Sequence, residues 1–265
     1  MRRLRASLVV LAALACSGCF QLATVIRVKG DGSGTIEQRL VFTRDAIAQL
    51  QQLAIVGGKE GFDPHSEEEA RADAERFGPG VTLLSTEPIS DETGQGRASV
   101  YAFTDINQLH ISQQPGVPQG AVRELDAGAS GTMTARLSRQ PNGNALLTIV
   151  VPQPALPGSG PASRGSSRNT PSVEQFAMAK QMFKGARVNI AVEPEGALVA
   201  TSSAFVEGPR VTLMDVDLDQ LLADETLPER IQEANTAEEM KAILKDAPGL
   251  KVNVERAITI EFTPR

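Results

Sequence analysis

Hydrophobic and polar side chains alternate along much of this chain, which is the pattern of β-strands that bury one face. The alternation first runs from Phe20 to Lys29 and resumes from Ile36 to Phe42. Between the two stretches lies Gly30-Asp31-Gly32-Ser33-Gly34, whose glycines supply the positive φ angles of a tight turn. The pattern therefore predicts a β-hairpin that begins directly after Cys19.

The same pattern predicts nine further strands. They are 81–89, 97–103, 132–137, 145–151, 188–192, 197–206, 211–214, 250–254 and 258–262. Turn residues connect several consecutive pairs, among them Pro141-Asn142-Gly143-Asn144 and Gly208-Pro209. Pro194-Glu195-Gly196 likewise predicts that strand 188–192 turns back into strand 197–206 as a hairpin.

Helices are predicted where apolar residues recur every three or four positions. Thr43 precedes one such segment, which carries Ile47 and Leu50 and ends at Gly57-Gly58. Ser66 and Glu69 form a capping-box pattern at the start of a second helix. Shorter helices are predicted at 105–109, 172–184, 218–223, 227–234 and 237–244. Since strands outnumber helices and most neighbours are joined by hairpins, we predict an α+β fold with mainly antiparallel sheet and helices packed on one face.

One stretch interrupts this organisation. Residues 152–171 are rich in proline, glycine and serine and offer little to bury, which is typical of a linker or a long loop. It separates an N-terminal α+β lobe, 19–151, from a C-terminal α+β lobe, 172–265. Each half repeats a hairpin followed by a helix, which favours two lobes that share contacts. The alternative is that residues 152–171 form a long loop that leaves and re-enters a single sheet.

The first 18 residues have the composition of a signal peptide. Arg2, Arg3 and Arg5 are followed by an apolar stretch that runs to Ala15 and is about a dozen residues long. A permanent membrane-spanning helix needs about 20 apolar residues, so this stretch is too short to be one. The leader therefore predicts export.

Small residues lead directly into a cysteine at the end of this leader. Ser17-Gly18-Cys19 resembles the lipobox of bacterial lipoproteins, and Leu14-Ala15-Cys16 does so three residues earlier. The resemblance implies that the cysteine thiol is acylated by diacylglycerol, which carries fatty acids such as palmitate, and that a signal peptidase then cuts just before it. We favour Cys19, with Cys16 as the alternative. The resemblance also implies the cell envelope, and Phe20 in the following position favours the outer membrane, facing the periplasm, in a Gram-negative cell.

Charge and cysteine content exclude some classes of function. The chain has two cysteines, both in the leader region, so the exported part depends on its core for stability. Without the three leader arginines, 23 basic side chains face 32 acidic ones. A domain with this excess of acid is repelled by nucleic acid, and no nucleic-acid partner is expected.

Three further segments resemble a group of uncharacterised predicted bacterial lipoproteins. They are Asp31-Gly32-Ser33-Gly34-Thr35, the run from Tyr101 to Asn107, and the run from Val211 to Asp217. These are strand and turn motifs rather than catalytic signatures. The resemblance therefore implies an envelope location and carries no activity.

Two clusters of acids are weak candidates for a metal site. Asp215, Asp217 and Asp219 alternate as in a calcium loop, but that loop needs Gly at its sixth position and Glu at its twelfth, where this chain has Gln220 and Thr226. We interpret these aspartates as a strand end that runs into a helix N-terminus.

The second cluster surrounds His65. His65 and Glu69 are four residues apart, with Asp63 and Glu67 beside them. A zinc site usually has more than one histidine, and the other histidine of the chain is His110, far along the sequence. An acidic helix start is the preferred interpretation, and we expect no metal and no cofactor.

No catalytic motif emerges from the sequence. A Gly-x-Ser-x-Gly elbow is absent, and two isolated histidines do not favour a Ser–His–Asp triad. We therefore expect a non-catalytic envelope lipoprotein that binds a protein or lipid ligand as a scaffold or binding module. The alternatives are a lipid-binding or lipid-transfer module with an acyl chain in its sheet, and a hydrolase that uses the acids near 63–69 or 215–219.

Overall fold

The computed structural model describes residues 20–56, 61–112, 132–151, 180, 184–234, 236–253 and 255–265. The signal peptide with Cys16 and Cys19, the segment 152–171 and nearly all of the helix predicted at 172–184 lie outside these residues.

The described part of the chain contains thirteen strands and five α-helices. The strands are β1 Phe20–Val28, β2 Gly34–Phe42, β3 Thr82–Ser90, β4 Gln95–Phe103, β5 His110–Ser112, β6 Thr132–Arg139, β7 Ala145–Val150, β8 Arg187–Pro194, β9 Gly196–Thr201, β10 Val206–Glu207, β11 Arg210–Asp217, β12 Leu250–Val252 and β13 Ala257–Pro264. The α-helices are α1 Arg44–Val56, α2 Glu67–Phe77, α3 Leu218–Leu221, α4 Leu227–Glu233 and α5 Ala237–Asp246, and a 3-10 helix spans Ile106–Gln108. The α+β prediction is confirmed.

These strands form two sheets. The large sheet has eight strands, in the order β10-β11-β8-β1-β2-β4-β3, with β12 also paired to β11. The small sheet has five strands, in the order β5-β6-β7-β13-β9. All described strand pairs are antiparallel except β1 with β8, which run parallel.

The predicted first hairpin is confirmed. β1 and β2 pair antiparallel over nine residues, from Phe20 opposite Phe42 to Val28 opposite Gly34. The turn is closed by a hydrogen bond from the Lys29 N–H to the Ser33 carbonyl (2.8 Å). Gly32 has a φ of 90°, a conformation that glycine adopts without steric cost.

The hairpin predicted at Pro194-Glu195-Gly196 is wrong. β8 pairs with β1 and β11 in the large sheet, whereas β9 pairs with β13 in the small sheet. Three consecutive residues of β8, Ile190-Ala191-Val192, are buried, which is typical of a central strand with neighbours on both sides and both faces covered. The chain therefore leaves one sheet at Glu195, whose N–H donates to the Val28 carbonyl (2.7 Å), and enters the other.

Each sheet combines strands from before and after residues 152–171. β8 and β11 follow that segment but extend the sheet that β1 and β2 begin, and β13 lies beside β7 in the small sheet. The segments 19–151 and 172–265 therefore share both sheets.

The main core lies between the two sheets. Ile26, Ile36 and Val192 of the large sheet pack in one cluster with Leu147 and Phe262 of the small sheet, all at most 1% exposed. α2 extends this cluster, because its Phe77 ring packs edge-on against Tyr101 at 5.2 Å between centroids.

A second, smaller cluster lies at the Phe20 end of the large sheet. There Leu22, Leu40 and Phe42 are covered by Ala46 and Ile47 of α1. Strand alternation places Leu22 on the same face as Ile26, so α1, α2 and the small sheet all cover one face of the large sheet. Part of the opposite face carries exposed side chains, among them Arg39 and Lys251.

Candidate functional site

Outward-pointing side chains of the large sheet are aligned in rows across its strands. Strand pairing places Lys251 opposite Asp215, Asp215 opposite Asn189, Asn189 opposite Ala23 and Ala23 opposite Arg39. Five adjacent strands separated by about 4.8 Å give this row a length of roughly 19 Å. The row crosses the face of the large sheet that is opposite the main core.

A concave groove of about 370 Å³ lies along this row. We call it the sheet groove and define it by its charged lining together with Gln21, Leu22, Ala23, Asn189 and Thr212. Its cationic members are Arg39, Arg187, Arg210 and Lys251, and its acidic members are Glu207 and Asp215. Its volume falls in the range of sites that hold small molecules, and its polar lining is suited to a charged ligand.

The arginines of the sheet groove are held by carboxylates. Arg187 makes two hydrogen bonds to Asp215, from Nε to Oδ1 (3.2 Å) and from Nη2 to Oδ2 (3.0 Å). The Asp215 hydrogen bonds and charge raise the pKa of Arg187 above its ordinary value. These contacts fix the planar guanidinium, and among the described residues its remaining N–H groups have no acceptor.

The other two arginines have similar partners. Arg210 donates from Nε to Glu193 (2.6 Å), and Arg39 donates from Nη2 to Asp91 (2.8 Å). Neither Glu193 nor Asp91 lines the groove, so each acid holds its arginine from outside.

Two charged members of the sheet groove have no such partner. Within the parts of the chain that the structure describes, neither Lys251 nor Glu207 makes a salt bridge. Their charges, one of each sign, are therefore available to a ligand.

The aspartates of the 215–219 segment do not converge. Asp215 points to the outer face and holds Arg187, and Asp217 caps α3 by accepting from the Gln220 N–H (3.1 Å). Asp219 accepts from the Gly185 N–H, with both carboxylate oxygens at 3.0 Å. Each aspartate thus has a separate structural partner.

Of the acids around His65, Glu67 and Glu69 lie in the first turn of α2, whereas Asp63 precedes the helix and accepts from the His65 N–H (2.9 Å). Ser66 caps this helix by accepting from the Glu69 N–H (3.2 Å), and Glu67 pairs with Arg71 one turn later. The His65 ring is turned toward the Ile89 carbonyl, with Nε2 at 3.2 Å from that oxygen. Among the described residues, no group of three or more His, Cys, Asp or Glu side chains is placed to hold a metal ion.

A second polar feature lies on the inner face of the large sheet. Strand pairing aligns Thr24, Gln38, Ser99 and Thr86, of which the first three are at most 5% exposed. We call these four residues the inner polar row. It separates the main core from the smaller cluster under α1.

A buried ion pair adjoins the inner polar row. Arg97 of β4 donates from Nη2 to Asp73 Oδ2 of α2 (2.8 Å), and each residue is only 5% exposed. Among the described residues, Arg97 Nε and Thr24 Oγ1 are buried without a hydrogen-bond partner. This pair ties α2 to the sheet, and the alternation pattern did not predict it because Arg97 occupies an inward position.

Tyr101 should titrate at unusually high pH. Its hydroxyl is buried 3.5 Å from Gln38 Oε1, and burial raises the pKa of Tyr101 from 10.0 to about 12. The neutral phenol therefore stabilises the fold fully below pH 10, and this stabilisation of about 3 kcal/mol is lost as the pH rises toward 12.

Tyrosinate absorbance measures this shift cleanly, because the chain has one tyrosine and no tryptophan. We expect a midpoint near pH 12 in the folded chain and near 10 in urea. Tyr101→Phe should remove the signal. A folded-state midpoint at the urea value would contradict the buried position of the hydroxyl.

The sequence did not predict the sheet groove. Its residues come from six strands, and the parallel pairing of β1 with β8 brings together Ala23 and Asn189, which are far apart in sequence. The sequence signal that could have indicated the groove is the placement of arginines at outward positions of several strands.

Comparison with known proteins establishes no family for this chain. No protein-family model matches it, and no curated protein matches it. Among solved structures, the chain matches the NMR structure of the folded domain of LppM from Mycobacterium tuberculosis. The two chains share 12% sequence identity and superpose with a TM-score of 0.33, and the match covers 94% of this chain and 95% of that one. At this identity and TM-score the likeness supports no conclusion about function. No helix among the described residues is both long enough and apolar enough to cross a membrane.

Proposed function

We propose that this chain is a bacterial envelope lipoprotein, acylated at Cys19, that acts without catalysis as a binding module through the sheet groove. The observation that carries the proposal is the position of that groove. Gln21, one of its lining residues, lies two residues after Cys19, which the lipobox resemblance marks for acylation. A polar binding surface therefore follows the anchor with almost no tether.

Chain geometry limits how far the groove can lie from the acylated residue. Consecutive Cα atoms are about 3.8 Å apart, so the Cα atoms of Cys19 and Gln21 are separated by roughly 7 Å at most. An acyl chain on Cys19 would hold this end of the large sheet at the membrane surface. The groove is then presented to the lipid headgroups or to a partner that lies at them.

The contacts of the candidate acids favour binding over catalysis. A carboxylate-dependent hydrolase needs two acids that flank one bond. Here Asp217 and Asp219 bond to backbone N–H groups, and Asp215 is held by Arg187. These roles stabilise the fold and leave no pair of these acids free to act together.

The filled core favours the groove over the sheet interior as the ligand site. A carrier of acyl chains needs an apolar cavity. The side chains between the two sheets, among them Ile26, Leu147 and Phe262, are at most 1% exposed and contact one another directly. The lipid-carrier alternative would require these contacts to open.

Replacing the acylated cysteine tests the anchor. In cells grown with labelled palmitate, we expect Cys19→Ala to abolish labelling of the full chain and Cys16→Ala to leave it at the wild-type level. Transfer of diacylglycerol to the thiol is the first step of this modification, so the loss should be complete.

The other labelling outcomes would change the acylation site or refute the anchor. Loss of label only in Cys16→Ala would move the acylation site three residues upstream and refute Cys19. Undiminished label in both variants would refute the lipid anchor. Immunoblots of total protein control for variants that are degraded.

A further inference from the structure

The two unpaired charges of the sheet groove have opposite signs, and this pattern selects a class of ligand. Lys251 offers an ammonium and Glu207 a carboxylate, while the nearby arginines are paired with Asp215, Asp91 and Glu193, the last of which also pairs with Arg27. A ligand with a single negative charge would satisfy Lys251 but would be repelled by Glu207. A ligand that carries both charges can satisfy both residues.

The two residues are spaced along one strand. Lys251 pairs with Asp215, and Glu207 pairs with Arg210, so their register positions are five residues apart on β11. Because β11 has a one-residue bulge between Thr212 and Met214, that separation is four strand steps, or roughly 13 Å. Both long side chains line the same groove, so they can approach the two ends of a small dipolar ligand from opposite ends.

The anchor indicates where such a ligand comes from. This step rests on the proposed function, which holds Gln21, a lining residue of the groove, at the membrane surface. The zwitterionic group that is abundant at that surface is a phospholipid headgroup. A headgroup presented by the same membrane needs no diffusion from solution.

We propose that the sheet groove binds the phosphoethanolamine headgroup of a membrane phospholipid. Lys251, with the N–H groups that Arg187 does not donate to Asp215, binds the phosphate. Glu207 accepts hydrogen bonds from the primary ammonium. A choline headgroup has no N–H to donate, and a glycerol headgroup has no positive charge, so both bind less well.

The test is an NMR titration of the isotope-labelled full chain in a neutral detergent. The probes are three soluble headgroups: glycerophosphoethanolamine, glycerophosphocholine and glycerophosphoglycerol. We expect the amide signals of Ala23 and Asn189, at the floor of the groove, to shift most with the ethanolamine compound. Because one charge-assisted hydrogen bond contributes about 1.4 kcal/mol or more, the affinity should exceed that for the other two by about tenfold.

Two substitutions separate ligand recognition from a structural effect. Lys251→Gln should weaken all three headgroups, since all carry the phosphate. Glu207→Gln should weaken the ethanolamine compound and strengthen the glycerol compound, because it removes both the ammonium acceptor and the repelling charge. Lys245→Gln on α5 and Glu229→Gln on α4 are matched surface controls and should leave all affinities unchanged.

Membrane-embedded headgroups provide the second arm. We expect the same Ala23 and Asn189 shifts, without any soluble probe, when the full chain is moved from phosphatidylcholine nanodiscs to nanodiscs that contain phosphatidylethanolamine. Shifts with the soluble headgroup alone would refute the membrane as the source. No shift in either arm, or equal changes for all headgroups in Glu207→Gln, would refute the site, and palmitate labelling tells independently whether the anchor has failed.

Discussion

The Asp73→Ala variant is expected to unfold with a free energy about 4 kcal/mol below that of the wild type. Its carboxylate is the ion-pair partner of Arg97, and both residues are 5% exposed. Removing the carboxylate leaves a buried guanidinium whose Nε already has no partner among the described residues. An unpaired buried charge costs far more than the pair contributes, which is why the effect should be large. Urea unfolding of the chain from Cys19 onward, followed by circular dichroism, measures it.

A double-mutant cycle identifies the ion pair as the cause. Arg97→Met alone should cost about 2 kcal/mol, because Asp73 keeps its contact with Arg76 (2.5 Å). The double variant should cost about 3 kcal/mol, well short of the sum of the single costs, since no unpaired guanidinium remains. Additive costs would contradict a coupled pair.

An exposed pair on the same helix is the control. Glu67 and Arg71 form an ion pair whose side chains are 56% and 68% exposed. Glu67→Ala should therefore change the free energy of unfolding by about 0.5 kcal/mol or less. If Glu67→Ala lowered the free energy of unfolding as much as Asp73→Ala, destabilisation of helix α2, rather than loss of the buried ion pair, would explain both results.

Local patterns predicted the elements of this fold well because the relevant physics is local. Alternation found β1 and β2, the Gly32 turn fixed their register, and Ser66 marked the start of α2. Each of these signals lies within a short stretch of sequence, because alternation, turn chemistry and helix capping act between residues that are close along the chain.

Long-range pairing could not be predicted in the same way. Pro194-Glu195-Gly196 has the chemistry of a hairpin turn, but β8 and β9 enter different sheets. What decides between them is which neighbours bury the continuous apolar run Ile190-Ala191-Val192, and that depends on β1 and β11. The sequence shows that this run is apolar but not what covers it.

The sheet groove was hidden for the same reason. Its charges come from β2, β8, β10, β11 and β12, so no sequence window contains them together. The acidic net charge of the chain even pointed away from a headgroup site. Within the groove, however, each arginine is paired with a carboxylate, and Lys251 and Glu207 carry opposite charges, so the local charges are closer to balance than those of the whole chain.

The polar features of the two faces of the large sheet have different consequences. On the inner face, Arg97 and Asp73 satisfy each other and hold α2 against β4. On the outer face, Lys251 and Glu207 are left without partners in the described chain. Substitutions on the inner face should therefore act on stability, and substitutions at these two outer residues should act on binding.

The Gly34→Ala variant is expected to be destabilised by about 3 kcal/mol because the close packing of backbone against backbone leaves no room for a side chain. A Cβ at Gly34 would lie 1.9 Å from the Arg27 carbonyl oxygen and 2.6 Å from Phe103 Cζ. The carbonyl belongs to the paired strand β1 and cannot move without breaking the register of the hairpin that follows the anchor.

Substitutions at two other glycines separate this steric clash from the effects that alanine has on backbone strain and on an open surface position. At Gly143 a Cβ would meet nothing within 4 Å, but φ is +85°, so Gly143→Ala should cost about 1 kcal/mol through backbone strain alone. At Gly61 there is neither a neighbour within 4 Å nor a positive φ, and Gly61→Ala should be neutral within about 0.5 kcal/mol. Urea unfolding of the three variants should rank their costs in the order Gly34, Gly143, Gly61. If Gly34→Ala proved no more costly than Gly143→Ala, strand β1 would have to lie farther from β2 at this turn, because only a wider spacing could admit the methyl group.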